Sequence, residues 1–472
     1  MRRAMHVLND QGPQEESTFY DHPYFGQLFL AGLFRIIGYP HLLITSSGGG
    51  ENLESIIEML YFVPRILMGT LAVVDTFLIY KISEYYYNRK IALISSVLFA
   101  VMPSTWMLRW ILLDNIELTL LLSSILFAIY NTGNSKNNDN NKSTNTKNIS
   151  VILLSGIFLG LAIFTKIPAF TMIPAVGFII YRRNHDNHPN KLLRLWFIPV
   201  ILIPLIWPAY SISVGTFNFL IDGILWQTHR ESQPLFNSIY LIFKSDPILL
   251  IIGTAGIFFS IIKKNFLLSL WVFPLVIFLY FIGYVSAYHL IPLLPASCIA
   301  AAILIEWLSN KISKKKIQKI LFPFAITSGI CIVGLINTTM LIATNVNFAY
   351  FKAAAFIVQY LEDINNQRSV YNNNYNRVTV IGDAFYLWIP QYIFQLHHAY
   401  KMYYDKTPYK TERVLLIVDP GLIKAMSRND IAAKQIQKIY NAPSKTNLAT
   451  FQQNGNKDDK ILIYEYKSNN VQ

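Results

Sequence analysis

The sequence predicts an α-helical polytopic membrane protein with about ten spans and a small extracytoplasmic α/β domain at its C-terminus. Of its 472 residues, 53% are hydrophobic and only 14% are charged, whereas a soluble protein of this length normally carries about 25% charged residues. Aromatic residues, which are part of the hydrophobic fraction, make up 14% of the chain, which is typical of chains with many helix ends at lipid headgroups. Cys298 and Cys331 both fall inside apolar runs, so no disulfide framework is predicted.

Apolar runs of membrane-crossing length define the predicted spans. The stretch 151–181 is too long for one crossing and is interrupted by Lys166 and Pro168. We interpret it as two short spans joined by a tight turn. The other runs lie near 56–80, 91–108, 112–130, 195–213, 247–262, 266–285, 289–308 and 320–343.

The loops between these runs differ sharply in basic residues. Positive charge resists translocation, so the basic loops are predicted to be cytoplasmic. The net charge of +13 is thereby explained by topology, and no nucleic-acid partner is expected. Seventeen Lys and Arg residues lie in 81–90, 131–150, 182–194, 263–264 and 309–319, and the opposite loops hold Arg109, Lys166, Arg230 and Lys244.

The same sidedness predicts the domain organisation. Residues 1–343 form the transmembrane domain, with an external first loop and interfacial helix at 1–50. Residues 131–150 are a low-complexity polar stretch, predicted to be a disordered cytoplasmic loop. Residues 344–472 form the extracytoplasmic α/β domain. Its apolar runs predict strands over 378–381, 414–418 and 461–466 and an amphipathic helix near 350–363.

Charged and polar residues gather on the predicted outer face. Placing such groups at the ends of apolar spans is energetically unfavourable unless they are paired, hydrated or required for function. A purely structural alternative exists for each: Arg109 and Lys166 can extend to the headgroups, and Asp114 can cap a helix. Their convergence on one face favours a functional role, whereas the mid-span Asp75 is expected to pair within the bundle. The outer set comprises 21–23, Arg109, Asp114, Asn115, Lys166, the loop 214–246, Tyr288 and His289.

A mixed basic and acidic cluster at a membrane surface suits transfer from a lipid phosphate. Arg and Lys can hold the phosphate, while a carboxylate accepts the proton of an attacking hydroxyl or amine. The sequence has no Gly-rich phosphate loop after a strand and no Cys/His cluster at zinc spacing. Nucleotide-dependent and structural-metal functions are therefore disfavoured.

The order of the polar motifs resembles the dolichyl-phosphate-mannose protein mannosyltransferase superfamily, including the related aminoarabinose transferases of the GT-C fold. The similarity extends over residues 1–310. Its parts are FYDHPYFG at 19–26, an interfacial helix at 24–37 with a turn at 38–40, RWILLDN at 109–115, FTKIP at 164–168 and YHLIPLLP at 288–295.

The resemblance implies a membrane glycosyltransferase that moves a sugar from a polyprenyl-phosphate donor to a protein, lipid or glycan acceptor. Asp21, His22 and Asp114 are the implied catalytic residues, with Asp21 and His22 lining the acceptor side. Substrate binding is implied for Arg109, Asn115, Lys166, Tyr288 and His289. The implied ligands of the lipid phosphate are Arg109, Lys166 and His289, and Arg230 is a further candidate. No cofactor is required, and a divalent metal ion is compatible with the carboxylates.

The sequence also departs from the family pattern. Family members have a first span followed by an external Asp-Glu pair, and neither precedes residue 8 here. Tyr24 replaces a second proline. A truncated gene model explains the missing pair, and a catalytically inactive remnant or scaffold subunit is the alternative. A secondary transporter is disfavoured because no internal repeat is visible. The predicted location is a prokaryotic plasma membrane.

Overall fold

The computed structural model forms two compact units. It describes residues 1–14, 22–46, 52–130, 142–185, 189–228, 233–312, 315, 317–343, 348–371, 378–403, 413–426, 431–452 and 460–467. The first unit comprises Met1–Glu15, Leu30–Val63 and Thr344–Gln472, and the second comprises Glu16–Phe29 and Pro64–Ala343. The first unit is thus assembled from three separate stretches of the chain.

Helices dominate the part of the chain that the structure describes. They are α1 (Arg2–Leu8), α2 (Phe25–Ile36), α3 (His41–Ser46), α4 (Leu53–Tyr86), α5 (Arg89–Val101), α6 (Leu113–Tyr130), α7 (Lys142–Thr165), α8 (Ile173–Arg183), α9 (Pro189–Leu202), α10 (Ile206–Ser213), α11 (Phe217–Thr228), α12 (Leu235–Ser245), α13 (Pro247–Ile262), α14 (Phe266–Ile282), α15 (Leu294–Ile312), α16 (Gln318–Ala343), α17 (Phe348–Tyr371), α18 (Ala384–Trp388), α19 (Pro420–Met426) and α20 (Ile431–Tyr440).

Five helical segments in the described residues are long and apolar enough to cross a membrane, and two bent pairs raise the number to seven. The five are Leu53–Tyr86, Leu113–Tyr130, Pro189–Ser213, Ala287–Ile312 and Leu321–Ala343. Other predicted runs form helices below the usual length of about 20 residues, including α13 and α14. A multi-pass membrane protein is confirmed, while the count of about ten spans stays a prediction.

Two of the predicted boundaries can be compared with the structure. The stretch 151–181 is indeed divided at Lys166, where α7 ends and a 3₁₀ turn over Ile167–Met172 begins. However, α7 begins at Lys142, so the second part of the loop predicted over 131–150 is helical. An apolar helix that continues into Ser, Thr, Asn and Lys residues explains the difference, because these residues are tolerated in a helix. Residues 131–141 lie outside the described residues.

Glycines bring helices of the second unit into close contact. A Cβ at Gly156 would lie 2.5 Å from the carbonyl oxygen of Trp196, so α7 packs directly on the backbone of α9. A Cβ at Gly256 would clash with the carbonyl oxygen of Ala300, which joins α13 to α15 in the same way. Small residues at such contacts are a common feature of membrane helix packing.

The first unit contains a five-stranded mixed sheet with the order β2-β1-β3-β5-β4. Strands β1, β2 and β3 are parallel, whereas β5 is antiparallel to both β3 and β4. The three predicted strands are confirmed as β1, β3 and β5; β2 and β4 were missed because they are short or polar. The strands are β1 (Val378–Gly382), β2 (Ala399–Met402), β3 (Arg413–Val418), β4 (Lys445–Gln452) and β5 (Lys460–Lys467).

Tyr61 of α4 connects distant parts of the first unit. Its hydroxyl donates to the carbonyl oxygen of Phe385 at 2.7 Å and accepts from Trp388 Nε1 at 2.7 Å. Its ring also stacks on Phe385, with centroids 4.4 Å apart. Helix α1 adds a further contact, since Asn9 Nδ2 donates to the carbonyl oxygen of Tyr392. The N-terminal stretches therefore complete the unit that contains the sheet.

Candidate functional site

Asp114 is positioned by the turn that precedes it. A 3₁₀ turn over Pro103–Arg109 leads into α6, and Asp114 lies in the first helical turn. Asn115 Nδ2 donates to the carbonyl oxygens of Leu108 at 2.7 Å and Trp110 at 2.6 Å. These two bonds close the turn, so the side-chain nitrogen of Asn115 stabilises the backbone just before Asp114. Its Oδ1 is buried and has no hydrogen-bond partner among the described residues.

Lys166 lies where α7 ends, at a break that its own sequence explains. Pro168 cannot donate a backbone hydrogen bond to continue the helix, and the chain enters the 3₁₀ turn. Lys166 Nζ donates to Asp114 Oδ1 at 2.5 Å. The two side chains are only 6% and 5% exposed. Two residues that the sequence placed on one face thus form a buried ion pair.

Tyr288 and His289 join this pair from a third segment. Lys166 Nζ lies 5.2 Å from the centroid of the Tyr288 ring, which is cation–π geometry. His289 Nδ1 accepts a hydrogen bond from the backbone N–H of Ser286 at 3.0 Å. The rings of Tyr288 and His289 are 4.5 Å apart. The turn over 286–289 therefore carries Tyr288 beside the ion pair and His289 against the ring of Tyr288.

The first-loop motif packs onto the same two segments. A Cβ at Gly26 would lie 2.7 Å from Leu113 Cδ2 and 2.8 Å from Thr165 Cγ2. Gly26 is thus wedged between the residues that directly precede Asp114 and Lys166. Tyr24 packs its ring edge-on against Phe164, with centroids 6.5 Å apart. Three motifs that are distant in sequence meet in one place, as their order predicted.

The arrangement around the ion pair does not include all of the predicted site residues. Asp21 and Arg230 lie outside the described residues. His22 is partly buried at the start of the first-loop motif, and Arg109 is exposed at the end of its 3₁₀ turn. Asp75 is fully buried, and the side chain of Thr119 on α6 lies beside its carboxylate. Neither carboxylate oxygen meets strict hydrogen-bond geometry with a described residue, so the pairing expected within the bundle is limited to this contact with a neighbouring helix.

Glu117 is a site residue that the sequence analysis missed. It is 1% exposed, and neither carboxylate oxygen has a hydrogen-bond partner among the described residues. It lies within electrostatic range of both Lys166 and Asp114. Two buried carboxyl groups, those of Asp114 and Glu117, therefore lie within electrostatic range of the Lys166 ammonium group. The spacing of Asp114 and Glu117, three residues apart on a helix, was the available signal, because such residues share a face.

A metal centre would need several ligand side chains in one place. Nowhere in the described ranges do three His, Cys, Asp or Glu side chains come close enough to hold an ion. In this part of the chain, the Asp114 carboxylate is instead paired with Lys166. A divalent metal ion at the carboxylates stays an expectation from the sequence.

Comparison with known proteins gives a family match over part of the chain and a fold. Residues 14–208 match the family described as dolichyl-phosphate-mannose-protein mannosyltransferase. No curated protein sequence matches the chain.

Several solved structures share its architecture. One is the Archaeoglobus fulgidus oligosaccharyltransferase tethered to an acceptor peptide with the NVT sequon, with a TM-score of 0.55 and 12% identity over 92% of this chain and 67% of that one. Another is ArnT from Cupriavidus metallidurans bound to undecaprenyl phosphate, with a TM-score of 0.51 and 11% identity over 98% of this chain and 92% of that one. The A. fulgidus oligosaccharyltransferase AglB with an inhibitory peptide and a dolichol-phosphate gives a TM-score of 0.52 at 12% identity, over 90% of this chain and 66% of that one. These matches establish the GT-C fold for this chain, as the order of its motifs predicted.

Proposed function

We propose that this protein transfers a sugar from a polyprenyl-phosphate donor to a protein, lipid or glycan acceptor on the outer face of a cell membrane. The buried pair of Asp114 and Lys166, at the meeting point of three loop motifs, carries this proposal. Such a pair supplies a proton acceptor and a phosphate-binding cation within one site. The GT-C fold supports the reaction class.

In the proposed reaction, the acceptor hydroxyl or amine attacks the anomeric carbon of the donor sugar. A new bond forms to that carbon, while its bond to the phosphate oxygen breaks and the electron pair leaves with the polyprenyl phosphate. Asp114 accepts the acceptor's proton or orients the sugar, and Asp21 and His22 line the acceptor side. Arg109, Lys166 and His289 stabilise the negative charge of the departing phosphate.

The local geometry gives Lys166 a defined place in this scheme. Its ammonium group is held by Asp114 and by the face of Tyr288, while the Glu117 carboxyl group lies nearby. These neighbours keep the ammonium charged in a buried setting, where an isolated cation would be unfavourable. Asn115 fixes the turn that carries Asp114.

The lipid-linked donor is also supported by the ligands of proteins with the same fold. ArnT is bound to undecaprenyl phosphate, and AglB is in complex with a dolichol-phosphate. The tethered acceptor peptide belongs to an oligosaccharyltransferase. For the present chain, we propose a polyprenyl phosphate carrier and leave the acceptor as a protein, lipid or glycan.

The first prediction concerns Asp114. In membranes that contain the full chain, Asp114→Asn is expected to lower transfer from a labelled polyprenyl-phosphate sugar about 10²- to 10⁴-fold, because a positioned proton acceptor contributes that much. Protein levels should not change. Asp363→Asn, at an exposed position of α17, is the matched control and should retain activity.

Unchanged transfer by Asp114→Asn would contradict the role of this carboxylate. If the unaltered chain transfers no sugar from any donor of this class, the alternative of an inactive scaffold subunit is favoured instead.

A further inference from the structure

A polar cleft lies in the first unit, apart from the residues assigned above. Its volume is about 450 Å³, and it lies between the end of α1 and the segment 391–400. This volume is within the range of roughly 300–1,000 Å³ that is typical of small-molecule sites. All of its walls belong to the same unit, so its shape does not depend on the second one.

The walls of the cleft are polar and almost uncharged. Four carboxamide side chains line it, those of Asn9, Gln11, Gln391 and Gln395, together with the imidazoles of His397 and His398. Among the described lining residues there is neither Lys nor Arg, and Asp10 is the one carboxylate, 3.7 Å from Arg35. Without a permanently charged cation in this lining, the cleft suits a neutral ligand better than a phosphate. Leu396 is the one aliphatic residue of the described lining, so an acyl chain does not suit it either.

The carboxamides match one ligand chemistry well. Each offers two N–H donors and an acceptor oxygen. A hydroxyl group is likewise both a donor and an acceptor, so adjacent hydroxyls on a sugar ring can bond to one carboxamide. In addition, Gln391 Oε1 is buried and has no hydrogen-bond partner among the described residues. A buried amide oxygen without a partner is unfavourable, and a ligand hydroxyl would satisfy it.

The backbone of one wall is unusual. Residues Ile389–Ile393 form a π-helical turn, and such turns occur frequently at functional sites. Gln395 follows with a φ of 49°, a left-handed conformation that is uncommon for residues other than glycine. The Tyr400 hydroxyl donates to the carbonyl oxygen of Leu396 at 2.9 Å and fixes this loop. Gln391 and Gln395 are therefore presented by a defined backbone, which lowers the entropic cost of binding.

We propose that this cleft is a binding site for a neutral carbohydrate. Its lining of carboxamides, the lack of Lys and Arg among its described lining residues and its volume together favour one or two sugar rings without a phosphate or carboxylate. The site is separate from the transfer reaction proposed above, and it does not require that reaction to be correct.

The test uses the full chain in lipid nanodiscs without glycosidic detergents, because such detergents carry sugars of their own. Saturation-transfer NMR with mannobiose, cellobiose, maltose and diacetylchitobiose at millimolar concentration reports binding. Gln391→Ala and Gln395→Ala are expected to weaken binding of at least one disaccharide about three- to tenfold, the effect of losing one hydrogen bond between neutral groups. Gln452→Ala, at an exposed position of β4 in the same unit, is the matched control and should bind normally.

Gln395 is exposed, so Gln395→Ala keeps the test valid even if Gln391→Ala unfolds the chain. Absence of a saturation-transfer signal for all four disaccharides would overturn the proposal. Equal binding by Gln395→Ala, Gln452→Ala and the unaltered chain would also overturn it, since the sugar would then be bound elsewhere. Tighter binding of glucuronate than of the neutral sugars would contradict the inferred neutrality.

Discussion

At the scale of single residues, the site depends on a balance of buried charges. Lys166 is paired with Asp114, and Glu117 lies close to both. Sequence reasoning found Asp114 and Lys166 because each stands at the abrupt end of an apolar run. It missed Glu117, which lies one helical turn inside α6, where burial and neighbours decide whether a carboxylate belongs to the core or to a site.

The second residue-scale prediction concerns this charge balance. Lys166→Met is expected to destabilise the protein by about 3–5 kcal/mol, because it leaves the buried Asp114 carboxylate without its cation. The double variant Lys166→Met, Asp114→Asn should be more stable than Lys166→Met alone, since that buried charge is removed. Chemical denaturation in detergent, followed by tryptophan fluorescence, measures both effects.

Lys244→Met is the control for this experiment, because Lys244 is exposed on α12 of the same unit. It should leave the denaturation midpoint near that of the unaltered chain. Strictly additive effects of Lys166→Met and Asp114→Asn would show that the two groups are not energetically coupled.

At the scale of elements, the sequence predicted those helices, breaks and strands that a local pattern of apolar residues determines. The helix over 24–37 is α2, the break at Lys166 and Pro168 is present, and three strands are confirmed. Strand β2 has four half-buried residues, and β4 alternates poorly, so neither carries a clear local signal. Long-range contacts were also beyond sequence reasoning: Tyr61 and Trp388 bond across 327 residues.

An element-scale prediction follows from helix packing. Gly256→Ala is expected to lower the melting temperature in detergent, because the added methyl group meets the backbone of Ala300 and α13 must move away from α15. Gly329→Ala, on α16, is the matched change, since a Cβ there meets nothing within 4 Å. It should leave stability unchanged or raise it by up to about 1 kcal/mol, as alanine is the better helix former.

The opposite signs of these two changes make the test specific. If Gly256→Ala and Gly329→Ala lost the same amount of stability, that result would contradict the close contact of α13 and α15. It would instead indicate that any added methyl group is disfavoured in this helical bundle.

At the scale of the whole molecule, a multi-pass membrane protein with a GT-C fold is established, whereas its orientation in the membrane is a prediction. The distribution of basic loops predicts that 344–472 lies outside the cytoplasm. Alkaline phosphatase fused after residue 472 in a bacterial host should therefore be active, and a green fluorescent protein at the same position should not fluoresce. Fusions at 263–264, a predicted cytoplasmic loop, are the control and should show the reverse. Fluorescence from the C-terminal fusion would contradict the predicted sidedness.

The discontinuous composition of the first unit has a consequence for how the chain is made. Its early stretches, up to Val63, include Tyr61, whose partners lie beyond residue 384. Roughly 280 residues must be translated between these stretches and the first residue of the last one, which takes tens of seconds at typical rates of 5–20 residues per second. During that interval the aromatic face around Tyr61 has no finished partner. A nascent chain that stalls before the sheet is complete should therefore be an early substrate for membrane quality-control proteases.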